Sequence, residues 1–379
     1  HQYACNITRR FSMTKAAELA KMGEVLTNSQ IGGRRNILIN GAMQVAQRGT
    51  STSSVSSGNI FASCDRWRNT GVTIGTWTIS QSTDVPTGQG FAKSLKYDCT
   101  TAEASPSAGD QLHLSHRIEG QDLQQLKKGT SNAEKVTLSF WVKSNKTGTY
   151  QVNIRDKDNT RMIAKTYAIS SADTWEKKTL TFDGDTTGVL DNDNANSLEL
   201  EWFLGAGSNY TSGAVPTSWE AESATDRAAG LNVNLGDSTD NEWYITGVQL
   251  EVGSQATPFE HRSFGEELFL CQRYFRDLCS GINGSVLSLV THYATTNAVG
   301  TFVLSPPMRT TPTAIAVSSA SHFTTYSAAA ARVCSALATD SFAPNIARMT
   351  ASISSITAGY SGWIQPNTTS ATMQITAEL

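Results

Sequence analysis

The sequence predicts a mainly β protein: an antiparallel jelly-roll sandwich, then a smaller C-terminal β-sandwich domain, with one short N-terminal helix. Three observations support this fold class. Short segments alternate apolar and polar residues, and Gly, Asn, Asp and Ser separate them. Charged residues make up only 17% of the 379 residues, against about a quarter in typical domains. The 8 Trp, 10 Tyr and 13 Phe residues are enough to build aromatic cores.

Residues 1–35 predict an arm that contains one helix. Leu19, Met22 and Leu26 fall at positions i, i+3 and i+7, which places them on one narrow apolar stripe. A helix this short is marginally stable alone in water, so it needs a partner surface. We therefore expect this arm to attach the protein to another protein, with the apolar stripe among the oligomer contacts.

Residues 36–262 predict the jelly roll. The segment "KVTLSFWVKS" places Val136, Leu138 and Phe140 on one strand face, and "NSLELEWFLG" does the same with Leu198 and Leu200. About eight or nine such runs follow one another between turn residues, and this spacing is typical of an antiparallel sandwich.

Residues 263–280 predict a short amphipathic connector. Pro258 ends the last sandwich strand, because proline cannot donate to a continuing ladder. Leu268, Cys271 and Phe275 then share one face. Two interpretations stay open. These residues bury against their copies in a trimer, or they pack onto the chain's own C-terminal domain.

Residues 281–379 predict a weakly charged β domain. After Asp277 the acidic residues are Asp340 and Glu378, and the strands are rich in Ser, Thr and Ala. Such a surface is a poor isolated monomer and suits a symmetric oligomer whose faces pack together. We expect this domain to oligomerise or to face a receptor.

Composition also excludes several partners. The net charge of −3 does not favour nucleic acid. No apolar run approaches the roughly 18 residues of a membrane helix, so we expect no membrane insertion. The 6 Cys residues form no CxxC pair and are interpreted as free, mostly buried thiols.

Several segments resemble a known family: "RNILINGAMQVAQRG", "VTLSFWVKS", "VQLEVGSQATPFE", "ELFLCQRYF" and "PPMRTTPTAI". They are similar to tailed-phage structural proteins, above all tail-fibre or receptor-binding proteins of environmental, especially marine, phages. The sandwich region also resembles the jelly roll of carbohydrate-binding modules. The resemblance implies a virion protein, made in the host cytoplasm, that forms a homotrimer. It would dock to other virion proteins through its N-terminal arm and bind a host-surface glycan.

The alternative within the same family is a head-fibre, decoration or capsid-associated protein that binds no glycan. It predicts an apolar surface between subunits and no accessible aromatic groove.

Four aromatic residues are candidates for glycan binding, because an aromatic plane can cover the apolar face of a sugar ring. They are Trp77, Trp202, Tyr210 and Trp219. Tyr210 and Trp219 lie in the long loop "GAGSNYTSGAVPTSWE", and loops on a rigid sandwich often carry binding. For Trp202 the competing interpretation is a core position.

A calcium site is a second hypothesis. Asp183, Asp185 and Thr187 occupy positions 1, 3 and 5 of a calcium-loop pattern, but position 12 is Asn194 instead of the required Glu. The alternative is a solvated acidic turn. We expect no other cofactor.

Catalysis is the third hypothesis, and the sequence argues against it. Glu199 and Glu201 share a strand face, roughly 6.6 Å apart by strand rise, which is within the range for paired carboxylates of glycosidases. The alternative is a solvated strand face. His113 and His116 point to opposite faces and make a poor metal pair. Hydrolase and nucleotide motifs are absent from the sequence, so we expect no enzymatic activity.

Overall fold

The computed structural model describes residues 35–379, except residues 280, 314 and 329. The chain is mainly β with antiparallel pairing, which confirms the predicted fold class. The predicted helical stripe of Leu19, Met22 and Leu26 lies outside the described residues. In the part of the chain that is described, no helix has the length and apolar character needed to cross a membrane.

The first domain is built from short strands joined by turns. Its strands are β1 (Ser51–Ile60), β2 (Arg68–Ser82), β3 (Ser94–Thr101), β4 (Gln111–Glu119), β5 (Val136–Ser144), β6 (Gly148–Asp156), β7 (Arg161–Ile169), β8 (Glu176–Phe182), β9 (Asn196–Ala206), β10 (Glu220–Ala221) and β11 (Glu242–Val252). Helix α1 (Ser208–Thr211) follows β9, and helix α2 (Phe264–Cys271) follows β11. Single-turn 3₁₀ helices lie at Gly120–Asp122, Gln124–Leu126, Ala224–Asp226 and Leu235–Asp237.

These strands form one folded sheet in the order β10-β7-β6-β9-β4-β2-β3-β11-β5-β8, with β1 beside β2. Strand β2 belongs to both layers, because residues 68–72 pair with β4 and residues 76–82 pair with β3. Gly75 lies between these two segments with φ at +68°. A Cβ there would overlap the carbonyl oxygen of Thr101, so glycine is required where the strand bends.

The sandwich core lies between the two layers and is strongly aromatic. Trp202 of β9 meets Phe140 of β5 across the sandwich, with ring centroids 6.0 Å apart. Trp67 packs against Trp202 at 5.6 Å. Tyr97 of β3 contacts both Trp77 and Trp243 of the same layer. Edge-on aromatic contacts of this kind stabilise a core beyond the area they bury.

The second domain begins after α2. Its strands are β12 (Phe275–Asp277), β13 (Ser288–Ala294), β14 (Asn297–Val303), β15 (Ile315–Val317), β16 (Phe323–Ser327), β17 (Ala331–Ala343), β18 (Ile346–Ile353), β19 (Ser361–Pro366) and β20 (Met373–Thr376), with a 3₁₀ turn at Ala320–His322. A smaller β domain was predicted here, but its main sheet closes into a barrel in the order β13-β14-β18-β17-β16-β19 instead of forming two stacked layers. Closure occurs because β19 pairs with both β13 and β16. Strands β12, β20 and β15 form a separate small sheet.

The connector packs inside its own chain. Cys271 is 0% exposed and Phe275 is 3% exposed, while Leu268 is half-buried against the same small core as Ile39 and Val45. The prediction that Cys271 and Phe275 contact other copies in an oligomer is therefore wrong. The structure supports the other interpretation, in which the connector buries its apolar face within the chain.

A buried ion pair joins the two domains at the end of β4. The Glu119 carboxylate accepts hydrogen bonds from Arg273 Nε at 2.8 Å and Nη2 at 2.7 Å, and from the Tyr274 hydroxyl. Burial by itself would raise the pKa of Glu119, but these hydrogen bonds outweigh burial and hold the pKa below its ordinary value. Nearby, Arg66 forms an ion pair with Glu378 and lies 3.5 Å over the Tyr274 ring.

We predict that Glu119→Gln lowers the free energy of unfolding by about 1–3 kcal/mol, because it leaves the hydrogen-bond donors of Arg273 and Tyr274 partly unmatched. Urea denaturation of the intact chain at pH 7 measures this loss. The matched control is Glu134→Gln, since Glu134 pairs with Lys127 at the surface, where such a pair contributes at most about 1 kcal/mol. Equal effects of the two substitutions would contradict the prediction.

Candidate functional site

Four neighbouring strands carry mainly polar side chains on the face that points away from the core. Residues of matching parity face the same side of a sheet, so strand register aligns these side chains in rows across β2, β4, β9 and β6. The rows are Arg68–Ser115–Glu201–Asn153, Thr70–His113–Phe203–Gln151 and Arg117–Glu199–Arg155.

The rows line an open cleft of about 310 Å³, near the lower limit for ligand pockets. Residues 57–59 of β1 form part of its rim, and one arginine comes from the loop before β11. We call it the arginine cleft after its charged lining residues, which are Arg68, Arg117, Arg155, Arg227, Glu199 and Glu201.

Glu201 is the buried centre of the charge network and is 0% exposed. It accepts hydrogen bonds from Arg155 Nη1 at 2.6 Å and from Arg227 Nη2 at 2.7 Å. Burial alone would raise the pKa of Glu201, but the charges of Arg227 and Arg155 outweigh burial and lower it well below its ordinary value. Glu201 is therefore a permanent carboxylate at neutral pH.

His113 is the neutral member of the network. Its Nε2 lies 3.6 Å from Glu201 Oε1, and its ring packs on Phe203 with centroids 4.8 Å apart. Burial is the main cause that lowers the pKa of His113 to about 3, and it outweighs the attraction of Glu201. The imidazole therefore carries no charge near pH 7.

Glu199 holds the second group of arginines. It accepts hydrogen bonds from Arg117 Nε at 2.8 Å and from Arg155 Nη1 at 3.3 Å. Arg117 also donates to an oxygen of Leu379 at 2.8 Å. Arg155 extends the network to Glu222 at the sheet edge. Three of the four cleft arginines are thus firmly engaged by oxygens of the protein.

Arg68 is the exception. Its nearest carboxylate oxygen, on Glu199, is 3.6 Å away, beyond ordinary hydrogen-bond distance. Its side chain is 12% exposed. Burial, and then the like charge of Arg117, lower the pKa of Arg68 against the opposing effect of Glu199. Counted over the lining, four arginines and two glutamates leave a net charge of +2.

Several polar atoms of the cleft have no hydrogen-bond partner among the described residues. Thr70 Oγ1, Gln111 Oε1 and His113 Nδ1 are buried and unmatched, although all three residues line the cleft. A hydroxyl, an amide oxygen and an imidazole nitrogen offer both donors and acceptors. The cleft is therefore suited to a ligand that carries several hydroxyl groups.

Tyr210 borders this cleft. It lies in α1, it is half-buried, and its ring centroid is 6.4 Å from that of Phe203. The Arg227 guanidinium lies near both rings, 5.4 Å from the Tyr210 centroid and 5.3 Å from the Phe203 centroid. Of the four predicted aromatic residues, Tyr210 is the one that the structure places beside the cleft.

The other three predicted aromatic residues lie elsewhere. Trp77 is 1% exposed and Trp202 is 0% exposed, so both are core residues and neither offers a ring face to a sugar; these two predictions are wrong. Trp219 is half-buried on the sandwich core. Its Nε1 donates to the Asp183 carbonyl at 2.7 Å, and Lys128 Nζ lies 4.4 Å from its ring.

The predicted calcium site is a cluster of ion pairs, so this prediction is also corrected. Asp185 accepts hydrogen bonds from Lys128 Nζ at 2.8 Å and Arg161 Nε at 2.7 Å, while Thr187 donates its amide to it. Asp183 is exposed and pairs with Lys135. Two cations already occupy the Asp185 carboxylate, and the described residues contain no group of three His, Cys, Asp or Glu side chains that could hold a metal ion.

The sequence did not predict the arginines of the cleft as site residues. The sequence predicts that Glu199 and Glu201 share a face and that His113 and His116 do not. The second prediction matches the structure, since His116 points into the core against Trp67. The available signal was the polar face of three strands, in "QLHLSHRIEG", "TYQVNIRD" and "NSLELEWFLG". The same pattern occurs on strand faces that are only solvated, so it does not by itself identify a cleft.

Comparison with known proteins gives only distant similarity. Neither a family model nor a curated protein sequence matches the chain. Among solved structures, the enzymatically active domain of bacteriophage CBA120 tailspike protein 4 is 15% identical with a TM-score of 0.30, covering 57% of this chain; the chain spans only 21% of that domain's length.

Two further structures are similar at the same level. A putative sugar-binding protein from Bacteroides thetaiotaomicron is 13% identical with a TM-score of 0.31, and the match covers 57% of this chain and 100% of that one. A family 11 carbohydrate-binding module of a Clostridium thermocellum cellulase is 10% identical with a TM-score of 0.27, and the match covers 55% and 99%. At these scores none of the matches assigns the chain to a family.

We predict that Glu201→Gln lowers the free energy of unfolding by about 3–5 kcal/mol at pH 7, because it leaves buried arginine charge uncompensated. The folded-state pKa of Glu201 is below its ordinary value of 4.5. Its contribution is therefore present above pH 4.5 and is lost as the pH falls below it. Urea denaturation at pH 6 and pH 3.5 should show a smaller drop in the variant than in the wild type.

The control for this measurement is Glu220→Gln, since Glu220 is exposed on the edge strand β10. Acidification also destabilises the fold through His113, whose folded-state pKa is lowered mainly by burial. Replacing Glu201 does not remove that main cause, so this effect is present in every variant. An unchanged pH dependence in Glu201→Gln would therefore contradict the assigned role of Glu201.

Proposed function

We propose that this chain is a phage virion protein of tail-fibre type that attaches the particle to a host-surface glycan by non-catalytic binding in the arginine cleft. The observation that carries the proposal is the cleft itself, with its charged rows and its unmatched Thr70, Gln111 and His113 atoms. A sugar presents several hydroxyl groups in fixed directions, and the cleft offers donors and acceptors fixed on four strands. The segments that resemble tail-fibre proteins provide the biological context.

Binding, not bond cleavage, suits the carboxylates of the cleft. A glycosidase of the usual kind needs one protonated carboxylic acid with a raised pKa. The pKa of Glu201 is lowered, and its oxygens are held by Arg155 and Arg227. Glu199 is likewise held by Arg117 and Arg155. Both glutamates act as anchors for arginines, which supports a binding role for this cleft without catalysis.

Weak glycan binding at one cleft would become effective attachment through several copies. We therefore retain the homotrimer, in the virion, as part of the proposal, with the N-terminal arm docking to other virion proteins after synthesis in the host cytoplasm. The support on this chain is the barrel surface, where Leu289 is 77% and Val303 is 78% exposed. Val303 lies directly opposite the exposed Ile346 on β18, which makes the apolar area continuous.

We predict that the intact purified chain labels host cells and slows phage adsorption when it is added first. Tyr210→Ala and Gln111→Ala should each weaken labelling by roughly tenfold, because each removes one contact group of the cleft. Phe269→Ala is the matched control, since Phe269 is an exposed aromatic residue of helix α2, outside the cleft lining and outside the barrel. If an assembled oligomer neither binds cells nor delays adsorption, the head-fibre or decoration protein replaces this proposal.

We also predict that Val303→Asp lowers the oligomer mass measured by light scattering at micromolar concentration, because a charge would be buried between copies. The fold should be kept, since the Val303 side chain points outward. Val189→Asp is the control, because Val189 is 62% exposed on the sandwich domain. A monomeric wild type, or equal masses for both variants and the wild type, would count against the barrel as the oligomer contact.

A further inference from the structure

We propose that the arginine cleft binds an acidic sugar, whose carboxylate or sulfate group contacts Arg68. This inference rests on the proposed glycan binding and names the class of sugar. It starts from the difference between Arg68 and the other three arginines of the cleft.

Each of the other three arginines already forms ion pairs or hydrogen bonds with oxygens of the protein. Arg155 binds Glu199, Glu201 and Glu222. Arg227 binds Glu201 through Nη2 and Nε at 2.7 and 3.2 Å. Glutamates of the protein already neutralise their positive charge, so a ligand anion would have to compete with a bound glutamate to reach them.

Arg117 is paired as well, with Glu199 and with an oxygen of Leu379. Arg68, by contrast, has only Glu199 at 3.6 Å and makes no hydrogen bond through its guanidinium among the described residues. The guanidinium has five N–H donors in a planar fork that matches a carboxylate or sulfate. Arg68 is therefore the arginine of the cleft whose guanidinium donors are available to a ligand.

Two unmatched hydroxyls stand beside Arg68. Ser115 lies directly opposite Arg68 on β4, and Thr70 follows two residues along β2 on the same face. Neither Ser115 Oγ nor Thr70 Oγ1 has a hydrogen-bond partner among the described residues, and Ser115 is 0% exposed. Arg68 and Thr70 both line the cleft, whereas Ser115 does not, so an anion in the cleft would meet one guanidinium and one hydroxyl. A neutral sugar could bind the hydroxyl but would leave the charge unmatched.

The nearby carboxylates of Glu199 and Glu201 offset only part of the cost of the Arg68 charge. Its burial and its neighbour Arg117 both act against the charged form. A glutamine would avoid both costs. A charge that destabilises the fold in an otherwise matched network is expected where a ligand uses it.

The test is a glycan array probed with the intact chain. It carries uronate-containing and sulfated polysaccharides, each beside its carboxyl-reduced or desulfated derivative, together with neutral polysaccharides. We expect binding to acidic members and its loss on neutralisation. The paired derivatives identify which acidic group is bound. Affinity should also fall as salt is raised, because the contact is partly exposed.

Variants at Arg68 link the array result to the cleft. Arg68→Gln should weaken binding roughly 10- to 100-fold, the effect of losing a charged hydrogen bond. Arg68→Lys keeps the charge without the planar fork and should retain part of the affinity. Arg332→Gln on the barrel should bind like the wild type. Near-ultraviolet circular dichroism verifies the fold of each variant.

The outcomes separate this inference from the proposal on which it rests. Binding that survives neutralisation, or an Arg68→Gln variant that binds as the wild type does, overturns the acidic-sugar inference and leaves glycan binding intact. Binding to no member of the array overturns the proposed function as well.

Discussion

The cleft depends on the fully buried carboxylate of Glu201. Removing the Glu201 charge from water costs several kcal/mol unless partners compensate for it. Arg155 on β6 and Arg227 on a distant loop supply that compensation. Their hydrogen bonds fix β9, β6 and the loop relative to one another. The position of Tyr210 follows, because its ring packs beside the same Arg227. Arg68 is then the cation that this internal pairing leaves available.

The sandwich uses both faces of the same strands. On β9, Leu198, Leu200 and Trp202 enter the core, while Glu199 and Glu201 enter the cleft. The close packing of the core therefore also holds the cleft residues in place. Most of the cleft lining lies on strands, and the loop residue Arg227 is held by Glu201, so the geometry of the cleft is largely fixed in advance. A preformed site of this kind avoids part of the ordering cost of binding.

The alternation of apolar and polar residues and the spacing of turns predicted the fold class. Locating the site required the register in which the strands pair. Trp202 shared its parity with Leu198 and Leu200, which already indicated a core position. Trp77 and Ile74 are both buried although their parities differ, because the strand bends near Gly75 and its pairing with β3 shifts there. The convergence of Arg68, Arg155 and Arg227 depends on strands that are distant in sequence. The order of the strands in the sheet is not evident from the sequence, so the clustering of these arginines was not predicted.

Strand β4 links the cleft to the C-terminal domain, which explains why the sandwich, the connector and the barrel follow one another so closely. Arg117 binds Glu199 in the cleft and an oxygen of Leu379, and Glu119, two residues later, binds Arg273 of the connector. These contacts fix the direction of the cleft relative to the barrel. If copies associate through the barrel, as proposed, their clefts share one symmetric arrangement. Fixed spacing of this kind favours simultaneous binding to a repetitive polymer, whereas flexibly linked sites would lose effective concentration.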